Sequence, residues 1–182
     1  VPDAGTSTAA YLRWWVAELL PGTVRSSTAT DYRWILEHYV IPQLGAVPLG
    51  LLSPLDVHGM LRALEAAGRS ARTRQYARAV LRRALGRAQR FGLIERNVAA
   101  LVDGPRLRNA ALHDTLTATE AACVLAAARG DRLEGVAVLA LRLGLRKGEL
   151  LGLRWGDVDL DNRTVRVTGT LKRHPGGGLF VD

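Results

Sequence analysis

The stretch GLRKGELLGLRWGDVDLDNRTVRV, Gly144 to Val167, sets one arginine, Arg146, at a tight turn ahead of a short amphipathic helix, with a strand to follow. Gly144 ends the helical pattern before it, and Lys147 to Leu153 carries the short helix. Trp155, Val158 and Leu160 are expected to pack the exit, and Thr164-Val165-Arg166-Val167-Thr168 reads as a strand. An arginine placed at such a turn can clamp a phosphate, because a planar guanidinium donates two parallel hydrogen bonds.

Working outward, His174-Pro175-Gly176-Gly177-Gly178 reads as a turn and Leu179-Phe180-Val181 as the beginning of a return strand, so the chain reaches Asp182 with a hairpin under way. Upstream, Leu116-Thr117-Ala118-Thr119-Glu120 opens a helix over about Thr119 to Ala128, and another runs from Arg132 to Leu143. Cys123 lies in the first of these and is expected to pack as a small apolar residue. It is the only cysteine, which excludes an internal disulfide and fits a reducing cytoplasm. No apolar run approaches a membrane span, and VPDAGTSTAA lacks the order of a signal peptide, so a soluble cytoplasmic protein without a membrane partner is expected.

The first half reads as four helices. The first runs from about Thr8 to Leu20, with Tyr11, Leu12, Trp15, Val16 and Leu19 on one face and Pro21-Gly22 at its end. The second runs from about Thr28 to Val40, with Thr28 and Asp31 offering a capping box and Pro42 and Gly45 stopping it. The third opens at Ser53-Pro54, with Asp56 three residues after the cap and Val57, Met60, Leu61 and Leu64 inward. The fourth spans about Ala71 to Phe91, with Tyr76, Val80, Ala84 and Phe91 in one arc and Arg74, Arg78 and Arg82 rising at i, i+4, i+8 on another. NVAALVDGPRLRN, Asn97 to Asn109, has the punctuation of a linker, and a domain boundary falls near Gly104 to Ala111. The expected division is 1–104, a linker at 105–113, and 114–182.

Charge follows that division unevenly. The net charge is +8, with 25 Lys plus Arg against 17 Asp plus Glu. Residues 62–108 alone hold twelve Arg against three acids, a net of +9, while residues 1–61 carry three Arg against five acids, a net of −2. A GC-rich genome explains why the bases are Arg rather than Lys. It does not explain why about half of them fall in 47 consecutive residues. Like charges at i, i+4 repel, and phosphates relieve that repulsion, so the block points to an anionic polymer; a solvated arginine face is the plain alternative.

These residues match a familiar pattern. TATDYRWILEHYVIPQLGAVPLGLLSPLDV with SARTRQYARAVLRRALGRAQRFGLIERNVAA resembles the helical core-binding domain of tyrosine-type site-specific recombinases, the phage-integrase family, although many relatives have Asn-Pro where this chain has Asn97-Val98. LTATEA followed by LALRLGLRKGELLGLRWGDVDLDNRTVRV resembles the start of that family's catalytic domain. The resemblance implies a mainly α fold: a four-helix, SAM-like core-binding domain followed by the start of an α+β catalytic domain with a small β-hairpin. It also implies site-specific DNA recombination, with double-stranded DNA as partner, a tetramer of the full enzyme on DNA, and neither metal nor cofactor.

In that family the arginine of Gly-Leu-Arg-x-x-Glu-Leu is the first catalytic arginine, which maps to Arg146. It would hold the non-bridging phosphate oxygens while a tyrosine hydroxyl attacks the phosphodiester. Glu149, about one helical turn on, matches the acidic position and could orient the arginine. Lys172 is a candidate for the family's catalytic lysine, or for a DNA-backbone contact, the lysine of many relatives following the return strand instead. The later arginine motif, a further His or Trp and the nucleophilic tyrosine are expected beyond Asp182. Tyr11, Tyr32, Tyr39 and Tyr76 have the spacing of core residues. His174 reads as a loop residue, and His38, His58 and His113 have no metal-ligand spacing. Backbone contacts to DNA are expected from Arg72, Thr73, Arg74, Arg78, Arg82 and Arg83. The polypeptide is thus expected to bind DNA without cutting it. A non-catalytic DNA-binding regulator or integrase remnant is the alternative, and a helical protein-interaction module a third.

Overall fold

The computed structural model describes residues 2–106, 115–173 and 178–182. Most of the expected linker, His113 and the His174–Gly177 part of the expected turn lie outside the described residues. The chain divides into two compact units, residues 1–110 and 111–182.

In the first unit, α1 (Thr8–Trp14) runs on through a π-helical turn at Trp15–Leu19, capped by the Ser7 hydroxyl, which accepts from the Ala10 N–H. Next, α2 (Ser26–Ile35) continues through a second π turn at Leu36–Val40 into α3 (Ile41–Leu44). The expected Thr28 cap is corrected: the helix begins two residues earlier, with Arg25 at the cap position, so Thr28 lies inside its first turn. Pro42 does not stop the helical path. It occupies the first turn of α3, directly after the π turn, and the path ends at Gly45.

Helix α4 (Pro54–Ala66) starts as its sequence predicts. The Asp56 N–H donates to Ser53 Oγ at 3.3 Å, and the Ser53 N–H donates to the Asp56 carboxylate at 2.9 Å. Helix α5 (Ala71–Arg90) is the axis of the unit and has a single buried stripe: Ala77, Val80, Leu81, Ala84, Leu85 and Ala88. The spacing i, i+3, i+4, i+7, i+8, i+11 is the period of a helix with one face on a core. Tyr76 and Phe91 flank that stripe and stay 37% and 47% exposed, so the expected arc of Tyr76, Val80, Ala84 and Phe91 is buried only at Val80 and Ala84. Against the stripe pack Tyr11, Leu12, Leu36, Val40, Val57 and Met60 from the other helices, and Val98 and Ala99 from a short 3-10 turn. Full burial of Leu81 or Leu85 stabilises the unit by about 1.5–3 kcal/mol each. Tyr11 brings a polar end into this core and satisfies it by donating to the Ala84 carbonyl at 2.7 Å.

The second unit is built differently. It contains α6 (Ala118–Ala127), α7 (Glu134–Leu143) and α8 (Lys147–Gly152), none of whose apolar side chains is buried. Thr117 and Glu120 form a reciprocal cap on α6. Cys123 is exposed on that helix rather than packed, because α6 buries no face. Two antiparallel ribbons follow. β1 (Val158–Asp159) pairs with β2 (Thr164–Val165), and β3 (Leu171–Arg173) pairs with β4 (Leu179–Val181) in the register Leu171↔Val181, Lys172↔Phe180, Arg173↔Leu179. The return strand therefore pairs with residues 171–173, and not with the expected strand at Thr164 to Thr168. The physical reason lies in the Asp159–Asn162 turn: Asp159 accepts from the Asn162 N–H at 2.9 Å and from Nδ2 at 2.8 Å, folding Thr164 back onto Asp159. The expected exit packing also fails. Trp155 is 87% exposed and Leu160 lies out in solvent, so of the three residues only Val158 is partly buried; the 3-10 turn Trp155–Asp157 is held by the Arg154 N–H donating to the Asp157 carboxylate at 3.2 Å.

Among the described residues no helix is long and apolar enough to cross a membrane.

Candidate nucleic-acid interface and phosphate-clamp turn

On the face of α5 turned away from the core, Gln75, Arg78, Arg82, Arg83, Gly86, Gln89 and Arg90 line an open groove of about 650 Å³, with Asn97 also in its lining. The groove is a consequence of helical period. Residues 75, 78, 82, 86 and 89 follow one another at three or four positions, so a single face of α5 carries them all. Asn97 is tied in by donating from Nδ2 to the Arg82 carbonyl at 2.8 Å. Arg83 is held by an aromatic partner: it donates from Nη1 to the Tyr32 hydroxyl at 3.0 Å, and its guanidinium lies 5.5 Å from the centroid of the same ring. Tyr32 in turn stacks on Trp15, which is part of the core.

Of the six residues expected to contact DNA, three come together here: Arg78, Arg82 and Arg83. The other three sit elsewhere. Arg72 is exposed near the start of α5. Thr73 spends its polar groups on the helix cap, its N–H donating to Ser70 Oγ at 3.1 Å and its hydroxyl bonded to the same oxygen at 2.9 Å. Arg74 is drawn into an ion pair with Glu65 at 2.8 Å and is only 15% exposed. The stripe at 74, 78 and 82 is therefore not uniform: its first member has an acidic partner across the α4–α5 turn. Sequence reasoning missed Gln75, Gln89, Arg90 and Asn97. The first three were accessible from the helical period of α5, whereas Asn97 depends on the path of the chain after the helix.

The turn at Arg146 is built by backbone geometry. Gly144 takes a left-handed conformation (φ 65°) that ends α7, and Arg146 follows in an extended conformation as the cap residue of α8. Glu149 binds Arg146 twice, accepting from its backbone N–H at 2.8 Å and from Nη1 at 3.0 Å. Those two bonds, the backbone one foremost, hold the Glu149 carboxyl below the usual carboxylate range. The carboxylate is thus charged when it orients the guanidinium, and the Arg146 side chain stays 87% exposed with the rest of its fork facing solvent. Gly148 and Gly152, one helical turn apart, let α8 lie directly against residues 169–171: a Cβ on Gly148 would stand 2.5 Å from Thr170 Cγ2, and one on Gly152 would stand 3.0 Å from the Leu171 nitrogen. That close approach fixes the start of β3 beside α8. Lys172 follows on β3, opposite Phe180, with its ammonium paired to the Asp182 carboxylate.

Two of the four tyrosines are taken up inside the first unit. Tyr11 is fully buried, with its phenol pushed up to about 12 by burial, and the Tyr32 hydroxyl accepts from Arg83.

Residues 9–104 match the family profile of the phage integrase central domain, a span that runs from the second residue of α1 past the end of α5. The chain belongs to the phage-integrase family of tyrosine recombinases. Among curated members, an integrase of Saccharopolyspora erythraea is 32% identical over 90% of this chain and 38% of its own length. An integrase of Streptomyces ambofaciens is 33% identical over 88% of this chain and 41% of its own length. The chain thus spans about two-fifths of the length of these curated relatives. Among solved structures, the integrase of transposon Tn1549 in complex with circular intermediate DNA superposes with a TM-score of 0.78 at 22% identity, over 97% of this chain and 59% of that one. A lambda integrase dimer bound to a COC′ core site gives 0.71 at 20% identity, over 96% and 59%. These likenesses establish the integrase fold for this mainly α chain. The family profile ends before Arg146, whose turn lies in the part of the chain matched by the integrase relatives.

Proposed function

We propose that residues 1–182 are the core-binding domain and the beginning of the catalytic domain of a DNA integrase, divided near 104–114. The observation that carries the DNA-binding half of this reading is the α5 groove, which gathers Arg78, Arg82, Arg83 and Arg90 on one face with no carboxylate in its lining. A duplex backbone supplies the anions such a face lacks, and release of the counterions it displaces favours the complex. Arg78, Arg82 and Arg90 take phosphates. Arg83 acts from its Tyr32 platform, and Arg72 adds a peripheral contact.

In the catalytic half, Arg146 is the phosphate clamp. Its exposed fork takes the non-bridging oxygens of the scissile phosphate, and Glu149 orients it from behind. The reaction of the whole enzyme is strand cleavage through a phosphotyrosyl link followed by rejoining, carried out by a tetramer on recombination core sites. Lys172 lies on the hairpin in reach of a role as general acid or backbone contact once it leaves Asp182. The polypeptide 1–182 binds duplex DNA and leaves it uncut, its four tyrosines all lying in the helical first unit, with Tyr11 buried and Tyr32 engaged by Arg83.

The test is the affinity of this polypeptide for a mixed-sequence duplex of ~30 base pairs across a salt series, together with an assay for covalent protein–DNA adducts. Steeply salt-dependent binding without adduct is the expected result. Absence of binding at low salt overturns the reading.

A further inference from the structure

Four buried side-chain polar atoms among the described residues have no hydrogen-bond partner: Arg74 Nε, Arg78 Nε, Gln75 Oε1 and Asn97 Oδ1. Three of these four belong to residues that line the α5 groove. Folded proteins leave few such atoms unpaired, because an unmade hydrogen bond costs the full desolvation of the group. Their concentration at one groove points to a ligand, and their chemistry narrows it.

Arg78 Nε is a donor, and a phosphate oxygen satisfies it. Gln75 Oε1 and Asn97 Oδ1 are acceptors, and a phosphodiester at neutral pH has no hydrogen to give them. In a duplex the major-groove donors are the amino groups of adenine and cytosine. The groove also lies along a helix, the element that the major groove admits. We propose that Gln75 reads the edge of an adenine in the major groove, and that this reading is separate from the phosphate contacts of the arginines beside it. The proposal rests on the DNA-binding function proposed above and adds sequence specificity to it.

The two amides differ in how they are set. Asn97 is tethered, since its Nδ2 donates to the Arg82 carbonyl, and with its oxygen buried it braces the groove without reaching a base. Gln75 is held by contact instead: its Oε1 lies against Gly104, at 2.0 Å from where a Cβ on that residue would stand. Rotation of the Gln75 side chain away from Gly104 turns the whole amide into the groove, where its oxygen accepts from adenine N6 and its nitrogen donates to N7. A glutamate in its place offers acceptors only, which suits the amino group of cytosine.

Selection from a randomised duplex library tests this, using the 1–182 polypeptide, Gln75→Leu and Gln75→Glu. The wild-type polypeptide is expected to enrich an adenine at a defined position, with about tenfold or greater preference over the other bases. Gln75→Leu should lose the preference at that position alone, with the same dependence of affinity on salt, and Gln75→Glu should move it to cytosine. Enrichment of the same base to the same degree by all three proteins overturns the proposal, as does a wild type that enriches none. If the wild type binds no duplex at all in the salt series, it is the DNA-binding reading itself that fails. Steep salt dependence without a Gln75-dependent base preference defeats only the base-reading proposal.

Discussion

The two units of this chain are stabilised by different means. The first is organised by burial: α5 alone contributes six buried side chains to a core that all its neighbours share. In the second, α6 and α7 bury no side chain, and order comes from local hydrogen bonds: the Thr117–Glu120 cap, the Arg146–Glu149 pair, the Asp159–Asn162 turn, and the seating of α8 on residues 169–171. The difference teaches where each functional group gets its precision. The α5 groove stands on a rigid core, whereas Arg146 is positioned by three residues of sequence and one carboxylate.

The largest effect should come from cavities. Leu81→Ala is expected to destabilise the first unit by about 2–5 kcal/mol, while Leu141→Ala on exposed α7 should fall within about 1 kcal/mol, both read by denaturant melts with probes in each unit. Comparable losses for the two would break the distinction.

Alkaline pH sharpens it further. The Tyr11 phenol is raised from 10.0 to about 12, chiefly by burial, so the neutral form is favoured in the folded state. Its contribution is fully present below pH 10 and is lost as pH rises through about 12, at roughly 1.4 kcal/mol per pH unit in that window. Tyr11→Phe should remove this part of the alkaline dependence in the first unit. The second unit has no tyrosine and should not show it.

A smaller effect is expected at the caps. Thr117→Ala removes the acceptor for the Glu120 N–H and should weaken α6 by about 1 kcal/mol, visible as faster amide exchange in its first turn with α5 unchanged.

How much of this was legible in the sequence follows the same line. The core of the first unit was readable because a 3.6-residue period on α1, α4 and α5 is a direct imprint of burial, and the Ser53-Pro54-x-Asp56 start of α4 carries its capping chemistry in its own letters. Gly144 and the Arg146–Glu149 spacing were readable for the same local reason. What escaped was set by non-local geometry. The Arg74–Glu65 pair depends on how α4 and α5 come together, and the Asn97 tether to the Arg82 carbonyl depends on the chain returning along α5. The strand pairing was misread because the Asp159–Asn162 turn folds Thr164 back locally, leaving the return strand to Leu171–Arg173. In the second unit Trp155 and Leu160 carry the letters of a core without being buried, so hydrophobic type alone misled there.

The most direct test of the central claim compares salt slopes for duplex binding by the wild-type polypeptide, by Arg78→Ala/Arg82→Ala/Arg90→Ala, and by Arg74→Ala. If the groove is the phosphate-binding face, the triple variant should flatten the plot of log affinity against log salt by up to ~3 units, at about 0.9 per phosphate contact, and Arg74→Ala should leave the slope nearly unchanged because Glu65 already holds that arginine. A triple variant with the wild-type slope, or an Arg74→Ala variant that loses as much, would contradict the account.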